Sequence, residues 1–197
     1  SYDRRFFTRG IRPNLCSIQE SNNLNSDYLE LFGDLKSTAQ KLVDEFIDAK
    51  EYGSILNLKI TTGEIAQLET KYAEIDNTIY DNILDTIRQV GLRTIFEPLI
   101  RQAKIMVKKY EVVCTNPPYM GGSGFSQKLG EFAKRKYPNS KSDLSTVFME
   151  KCTDFCNKNG FFSMINIPAW MFLSSYEKLR KGLSNSTTYI NMSHFGR

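Results

Sequence analysis

The stretch VVCTNPPYMGGSGF, Val112 to Phe125, sets an apolar run directly against two prolines and then three glycines. Val112 to Thr115 predicts a short buried strand, and Pro117 and Pro118 forbid its continuation, because proline fixes φ and has no N–H for a ladder. Asn116 to Tyr119 is therefore a stiff turn at the carboxyl end of a strand. The same alternation continues beyond it. Gln127 to Tyr137 predicts an amphipathic helix, and Ser142 to Lys158 a second, with Leu144, Val147, Phe148, Cys152 and Phe155 on its inner face. Asn157-Lys158-Asn159-Gly160 closes that helix, with Gly160 expected in the left-handed position. Phe161 to Ile167 predicts a strand stopped by Pro168. Ser174 and Glu177 have capping-box spacing and open a helix to about Leu183; Thr187 to Ser193 predicts a last strand. Strand, helix, strand, helix, strand is the pattern of a parallel sheet in a doubly wound α/β domain.

Upstream the texture differs. Asn14 to Ile18 predicts one short strand, ending in Gln19, Glu20 and Ser21. Residues 26–110 are mostly helical. Tyr28, Leu31, Phe32, Leu35, Leu42, Phe46 and Ile47 recur at threes and fours, which predicts one long helix stopped by Gly53. Ile65, Leu68, Tyr72, Ile75, Ile79 and Ile87 predict a second, ended or bent by Gly91, and a third is expected from Pro98 to Lys109. The expected division is 1–25, with one strand; 26–110, helical; and 111–197, α/β. The helical region suits either a packing appendage or a partner-binding element.

The 197 residues allow one sizeable core with a helical appendage. Hydrophobic residues at 41% and charged residues at 24% are ordinary soluble usage, and the apolar runs are strand-length, so no membrane span is expected. The sequence opens on SYDRRFFTRG, without Met or an apolar leader segment, as expected of a piece of a longer protein. A net charge of +4 is too mild to imply nucleic acid. Cys152 and Cys156 lie one helical turn apart and suit either a shared metal or a core face; no Cys/His pair completes a tetrahedral set, so no metal is expected.

Ligands of such sheets bind beyond the carboxyl ends of the strands, where Asn116-Pro117-Pro118-Tyr119 falls. Asn116 offers a side-chain oxygen and Pro117 a carbonyl, two acceptors for both hydrogens of one amino group. Tyr119 adds a face for a flat ring, worth roughly 1–3 kcal/mol for a nucleobase. An exocyclic amine is a weak nucleophile because its lone pair is delocalised. Two acceptors that draw its hydrogens out of the ring plane release that pair to attack an electrophilic methyl group. The four residues would meet by chance in about one sequence of this length in a thousand at average usage, which favours a site over an ordinary turn. Gly121, Gly122 and Gly124 lack a dinucleotide fingerprint and suit a mobile loop closing over substrate, or a plain connection.

VVCTNPPY, SDLSTVFMEKC and NGFFSMINIPAWMF resemble motifs IV, V and VI of the γ-type amino methyltransferases, which form N6-methyladenine in DNA from S-adenosylmethionine. RRFFTRGIRPNLCSIQES, NPPYMGGSGF, YPNSKSDL and PAWMFLSSYEKLRKGL are similar to the adenine-specific methyltransferases of BREX phage-defence systems. The resemblance covers essentially the whole chain. It implies a partial Rossmann-like, class I methyltransferase sheet with a helical insertion before the NPPY strand, a bacterial cytoplasmic location, double-stranded DNA as substrate and other defence-system proteins as partners. By resemblance Asn116, Pro117, Pro118 and Tyr119 are catalytic; Gln19 and Glu20 match cofactor contacts; Phe148 suits the cofactor's adenine pocket or the core; Pro168, Ala169 and Trp170 shape the site.

The family's glycine-rich cofactor loop has no counterpart here, so the chain is expected to carry the methyl-acceptor half of a site and to transfer no methyl group alone. Self-association is expected from exposed strand edges. NPPY also serves methyltransferases acting on a protein glutamine or an RNA guanine, whose cofactor strands and NPPY lie closer together. A non-catalytic scaffold of a defence complex is the remaining alternative.

Overall fold

A computed structural model describes Gly10 and residues 14–194, so the first part of RRFFTRGIRPNLCSIQES and the last three residues lie outside the described residues. Asn25 opens a 3₁₀ segment, Ser26–Leu35, its side chain accepting the Asp27 N–H at 3.0 Å. Helix α1, Lys36–Glu45, and the short α2, Ala49–Tyr52, follow. The single long helix expected up to Gly53 is thus broken. Gly33 (φ 54°), Asp48 (φ 55°) and Gly53 (φ 57°) take left-handed angles that no α-helix accommodates. Ile47, expected on the buried face, is 48% exposed because the break turns it outward.

Helix α3, Thr62–Asn77, starts at a complete capping box between Thr61 and Glu64. Lys41, ahead of the Thr61 amide and hydroxyl, holds the Glu64 carboxyl down at about 2. Helix α4, Ile83–Val107, begins at Asn82 and runs 25 residues straight through Gly91 and Pro98. The expected boundaries at those two residues are therefore wrong. Leu92, Phe96, Leu99, Ile100 and Ala103 are buried along it, and their packing outweighs the ~3 kcal/mol that an internal proline costs. Gly91 answers to packing instead, since a Cβ there would lie 2.2 Å from the Tyr28 ring. Phe32 and Tyr72 close on Phe96 with ring centroids 4.6 and 5.9 Å away. Gln89 donates to the carbonyls of Ile75 (2.6 Å) and Thr78 (2.8 Å), holding the end of α3 against α4.

Strand β1, Tyr110–Thr115, lies parallel to β2, Cys156–Met164, with Val112 opposite Phe161 and Thr115 opposite Met164. Between them in sequence run α5, Gln127–Lys136, and α6, Leu144–Phe155. The alternation thus yields a mixed α/β structure with a parallel pair, and among the described residues the sheet has these two strands. β2 begins at Cys156, earlier than expected, and Asn159 (φ 65°) rather than Gly160 takes the left-handed angle. Gly160 serves close approach: a Cβ would sit 3.0 Å from the Tyr110 carbonyl, beside the irregular register between Tyr110 and Val112.

Neither Asn14 to Ile18 nor Thr187 to Ser193 forms a ladder, so both expected strands are corrected to irregular chain. The first is tied to α4 by a side chain: Gln102 accepts from the Gln19 N–H (2.9 Å) and donates to the Gln19 carbonyl (2.8 Å). Helix α7, Ala169–Phe172, and α8, Glu177–Ser186, complete the chain. Ser174 makes no cap; Glu177 pairs with Lys181 at 2.6 Å instead. Met149, Trp170, Tyr176, Leu179 and Leu183 form a second, smaller core. The helical and α/β parts are joined where Phe132 stacks on Tyr52 (4.3 Å) and the Tyr137 hydroxyl donates to the Ile55 carbonyl (2.7 Å). One sheet face stays open, with Val112, Phe161 and Ile165 more than half exposed.

Candidate active site

Asn116 to Tyr119 leaves β1 at its carboxyl end. Pro117 is buried and anchors the turn, while Asn116, Pro118 and Tyr119 are exposed. The Tyr119 hydroxyl donates to Asn116 Oδ1 at 3.0 Å, so the amide oxygen and the ring occupy one patch of surface. A buried proline beside an exposed carboxamide and an aromatic ring leaves that amide and ring accessible on a backbone with little freedom to move.

The glycines after the turn are latched to α6. The Leu144 N–H donates to the Met120 carbonyl and the Gly122 N–H to the Ser142 carbonyl, each at 2.8 Å, and Gly121 bridges Asp143 in antiparallel sense. None of Gly121, Gly122 and Gly124 has a positive φ. Between the two latch bonds lies Asp143, a buried carboxylate whose Oδ1 accepts from the Ser145 N–H (2.8 Å) and hydroxyl (2.6 Å), capping α6. Sequence reasoning assigned Asp143 no role. The signal was present, since an aspartate before an apolar helical run is a preferred N-cap.

The expected cofactor contacts lie on two elements, the segment before the 3₁₀ turn and helix α6. Gln19 lies on the segment held by Gln102, with its side chain on the Ser17 hydroxyl at 2.9 Å, and Glu20 follows it. Phe148 is half-buried on α6 against the main core. Among the described residues none of the three is hydrogen-bonded to the Asn116 to Tyr119 turn. Trp170 is buried in the second core, and Arg180 donates to its carbonyl and to that of Leu173, each at 2.7 Å, fixing the chain after Pro168.

Cys152 is buried and Cys156 half-buried; burial pushes the Cys152 thiol up to about 11, the opposite of what a metal ligand needs. Among the described residues no three His, Cys, Asp or Glu side chains cluster as a metal site, and no helix is long and apolar enough to cross a membrane.

Comparison with known proteins bears on this arrangement. The Eco57I restriction-modification methylase family matches residues 17–197. The chain is 34% identical over 216 aligned residues to the adenine-specific methyltransferase BrxX of Escherichia coli O9:H4 (strain HS), covering 98% of this chain and 18% of that protein. It is 46% identical over 199 residues to the adenine-specific methyltransferase PglX of Lacticaseibacillus casei (strain Zhang), covering 98% and 16%. The chain therefore spans less than a fifth of the length of either relative. The match takes in the parallel strands, the turn between them and the helices before them, and the chain belongs to the Eco57I restriction-modification methylase family.

Proposed function

We propose that this chain is the methyl-acceptor part of an adenine-specific DNA methyltransferase of a phage-defence system. The observation that carries the reading is the exposed pairing of Asn116 with Tyr119 at the carboxyl end of β1, over a buried Pro117. Asn116 Oδ1 and the Pro117 carbonyl accept the two hydrogens of an adenine amino group, and Tyr119 stacks on the base once it has left the duplex. Holding both hydrogens favours a tetrahedral nitrogen and frees its lone pair. The amine needs no strong base, because its proton becomes acidic only after methylation.

S-adenosylmethionine supplies the methyl group in this reaction class. Gln19, Glu20 and Phe148 are its proposed contacts by resemblance. The fold read at finer grain is a Rossmann-like half-sheet with residues 26–110 inserted before the NPPY strand. Double-stranded DNA is the proposed substrate, other defence-system proteins are the proposed partners, and the bacterial cytoplasm is the proposed location. The matched family and both relatives favour adenine over a protein glutamine or RNA guanine.

The test is Asn116→Ala in a full-length protein carrying this chain, with N6-methyladenine in DNA measured. A loss of about a hundredfold or more is expected, the scale for removing one preorganised polar contact from a reacting centre. Unchanged methylation would sink the catalytic reading and leave the scaffold alternative. The 197-residue chain alone is expected to incorporate no labelled methyl into DNA.

A further inference from the structure

A polar cavity lies at the other end of β1 from the NPPY turn. It measures about 470 Å³ and is lined by Asn57, Thr62, Lys109, Lys151, Asp154 and Phe155 among others, between the start of α3 and the end of α6. Such a volume is in the range of small-ligand sites. Lys109 immediately precedes β1 and Asn116 immediately follows it. A six-residue strand separates the cavity from the NPPY turn by roughly 20 Å.

Lys151 is the unusual residue. It is 4% exposed, its Nζ donates to the Leu56 carbonyl at 2.6 Å and lies 4.6 Å from the centre of the Phe155 ring. An ammonium has three N–H donors, and Leu56 uses one. A buried ammonium whose direct contacts are a neutral carbonyl and a ring is short of acceptors. Burial pushes its pKa down to about 8, and the neighbouring Lys109 pushes the same way while Asp154 opposes them. Lys109 itself donates to the Asp154 main-chain carbonyl. Two ammoniums and one carboxylate leave the cavity one positive charge in excess. The Glu64 carboxylate at the amino end of α3 is already paired with Lys41 at 2.7 Å, so it does not offset this excess.

We propose that this cavity binds a phosphate group, held between Lys109 and Lys151 and completed by the hydroxyl of Thr62 and the amide of Asn57. A phosphate brings several acceptor oxygens to the spare N–H groups and supplies the missing negative charge, and lysine is a frequent partner for it. The group can arrive as inorganic phosphate or on a nucleoside monophosphate, whose body would rest on the apolar lining at Met106 and Val107.

The test is calorimetric titration of the purified protein with inorganic phosphate and, separately, with AMP at low ionic strength. Saturable binding of at least one probe is expected, weakened about tenfold or more by Lys151→Met and by Lys109→Gln, and unchanged by Asn116→Ala. Equal affinity for the two probes would assign recognition to the phosphate alone; tighter AMP binding would add the nucleoside. Lys109 is exposed, so its variant tests the site without disturbing the core. No saturable heat with either probe up to about 10 mM, or full binding by either lysine variant, would overturn the proposal. Failure here leaves the NPPY reading untouched, because the two sites share no residue.

Discussion

The Tyr119 hydroxyl donates its hydrogen to the Asn116 side-chain oxygen across 3.0 Å. That oxygen is the acceptor proposed for the adenine amine, so tyrosine and substrate compete for the same lone pairs. The ring must give up this bond, or share the oxygen, when a base stacks on it. Tyr119 is 50% exposed, which leaves the ring room to turn.

Tyr119→Phe should therefore separate the hydroxyl from the ring. Phenylalanine keeps the stacking face and leaves the Asn116 oxygen unengaged. Methylation by a full-length protein is expected to stay within about tenfold of wild type. Tyr119→Ala removes the face and should weaken capture of a flipped base by about 5- to 150-fold, the equivalent of ~1–3 kcal/mol. Fluorescence of 2-aminopurine at the target position reports the difference, and equal effects of the two variants would contradict a stacking role.

Asp143 caps α6 beside the loop that follows the NPPY turn. Asp143→Ala removes the helix cap, at about 0.5–2 kcal/mol, and strands the buried Ser145 hydroxyl, at about 1–3 kcal/mol. A stability loss of ~2–4 kcal/mol is expected in denaturant titration, with faster hydrogen exchange at the Gly122 and Leu144 amides. Asp143→Asn retains a capping oxygen and should recover most of it.

Gly91→Ala sets two effects against each other. Alanine favours a helix over glycine by ~1 kcal/mol. Its Cβ, however, would lie 2.2 Å from the Tyr28 ring, and forcing such contacts costs ~1–3 kcal/mol. Net destabilisation is expected in thermal melts. Adding Tyr28→Ala should turn the Gly91→Ala change from harmful to favourable, a coupling that a double-mutant cycle would display.

Lys151 predicts a pH dependence with a definite sign. Its folded pKa of about 8 lies below the ordinary lysine value of 10.5, so the unfolded chain binds more protons between these limits. Stability from this residue rises as pH increases from about 8 towards 10.5, by up to ~3 kcal/mol. Cys152 acts in the opposite direction: its thiol is held up at about 11, so its contribution falls as pH rises through 9 to 11. The difference between wild type and Lys151→Met isolates the lysine. That difference should shrink steadily above pH 8 in urea titrations; a constant gap would mean that Lys151 is not buried as an ammonium.

The NPPY turn, both paired strands and the helices between them were legible because their signals are local. Prolines end β1, Ser126 caps α5, and the apolar spacing of Leu144, Val147 and Cys152 marks the inner face of α6. What misled was also local. Gly91 and Pro98 obey helix-boundary rules that tertiary packing overrides, and left-handed Asp48 carries no obvious mark in the sequence. The expected strands at Asn14 to Ile18 and Thr187 to Ser193 have strand-like residues, but a ladder requires a neighbour that a five- or seven-residue window cannot reveal. Lys151 was invisible for the same reason: one lysine on a helix announces neither Leu56 nor Phe155.

The Gln102 carboxamide holds residue 19 through that residue's own backbone N–H and carbonyl. Such a clasp is blind to the side chain it secures. Position 19 is consequently open to drift, able to exchange one contact chemistry for another at no cost in anchorage, while position 102 must keep an amide of that reach. The anchorage of the segment that resemblance associates with the cofactor is thereby vested in a helix far away in sequence.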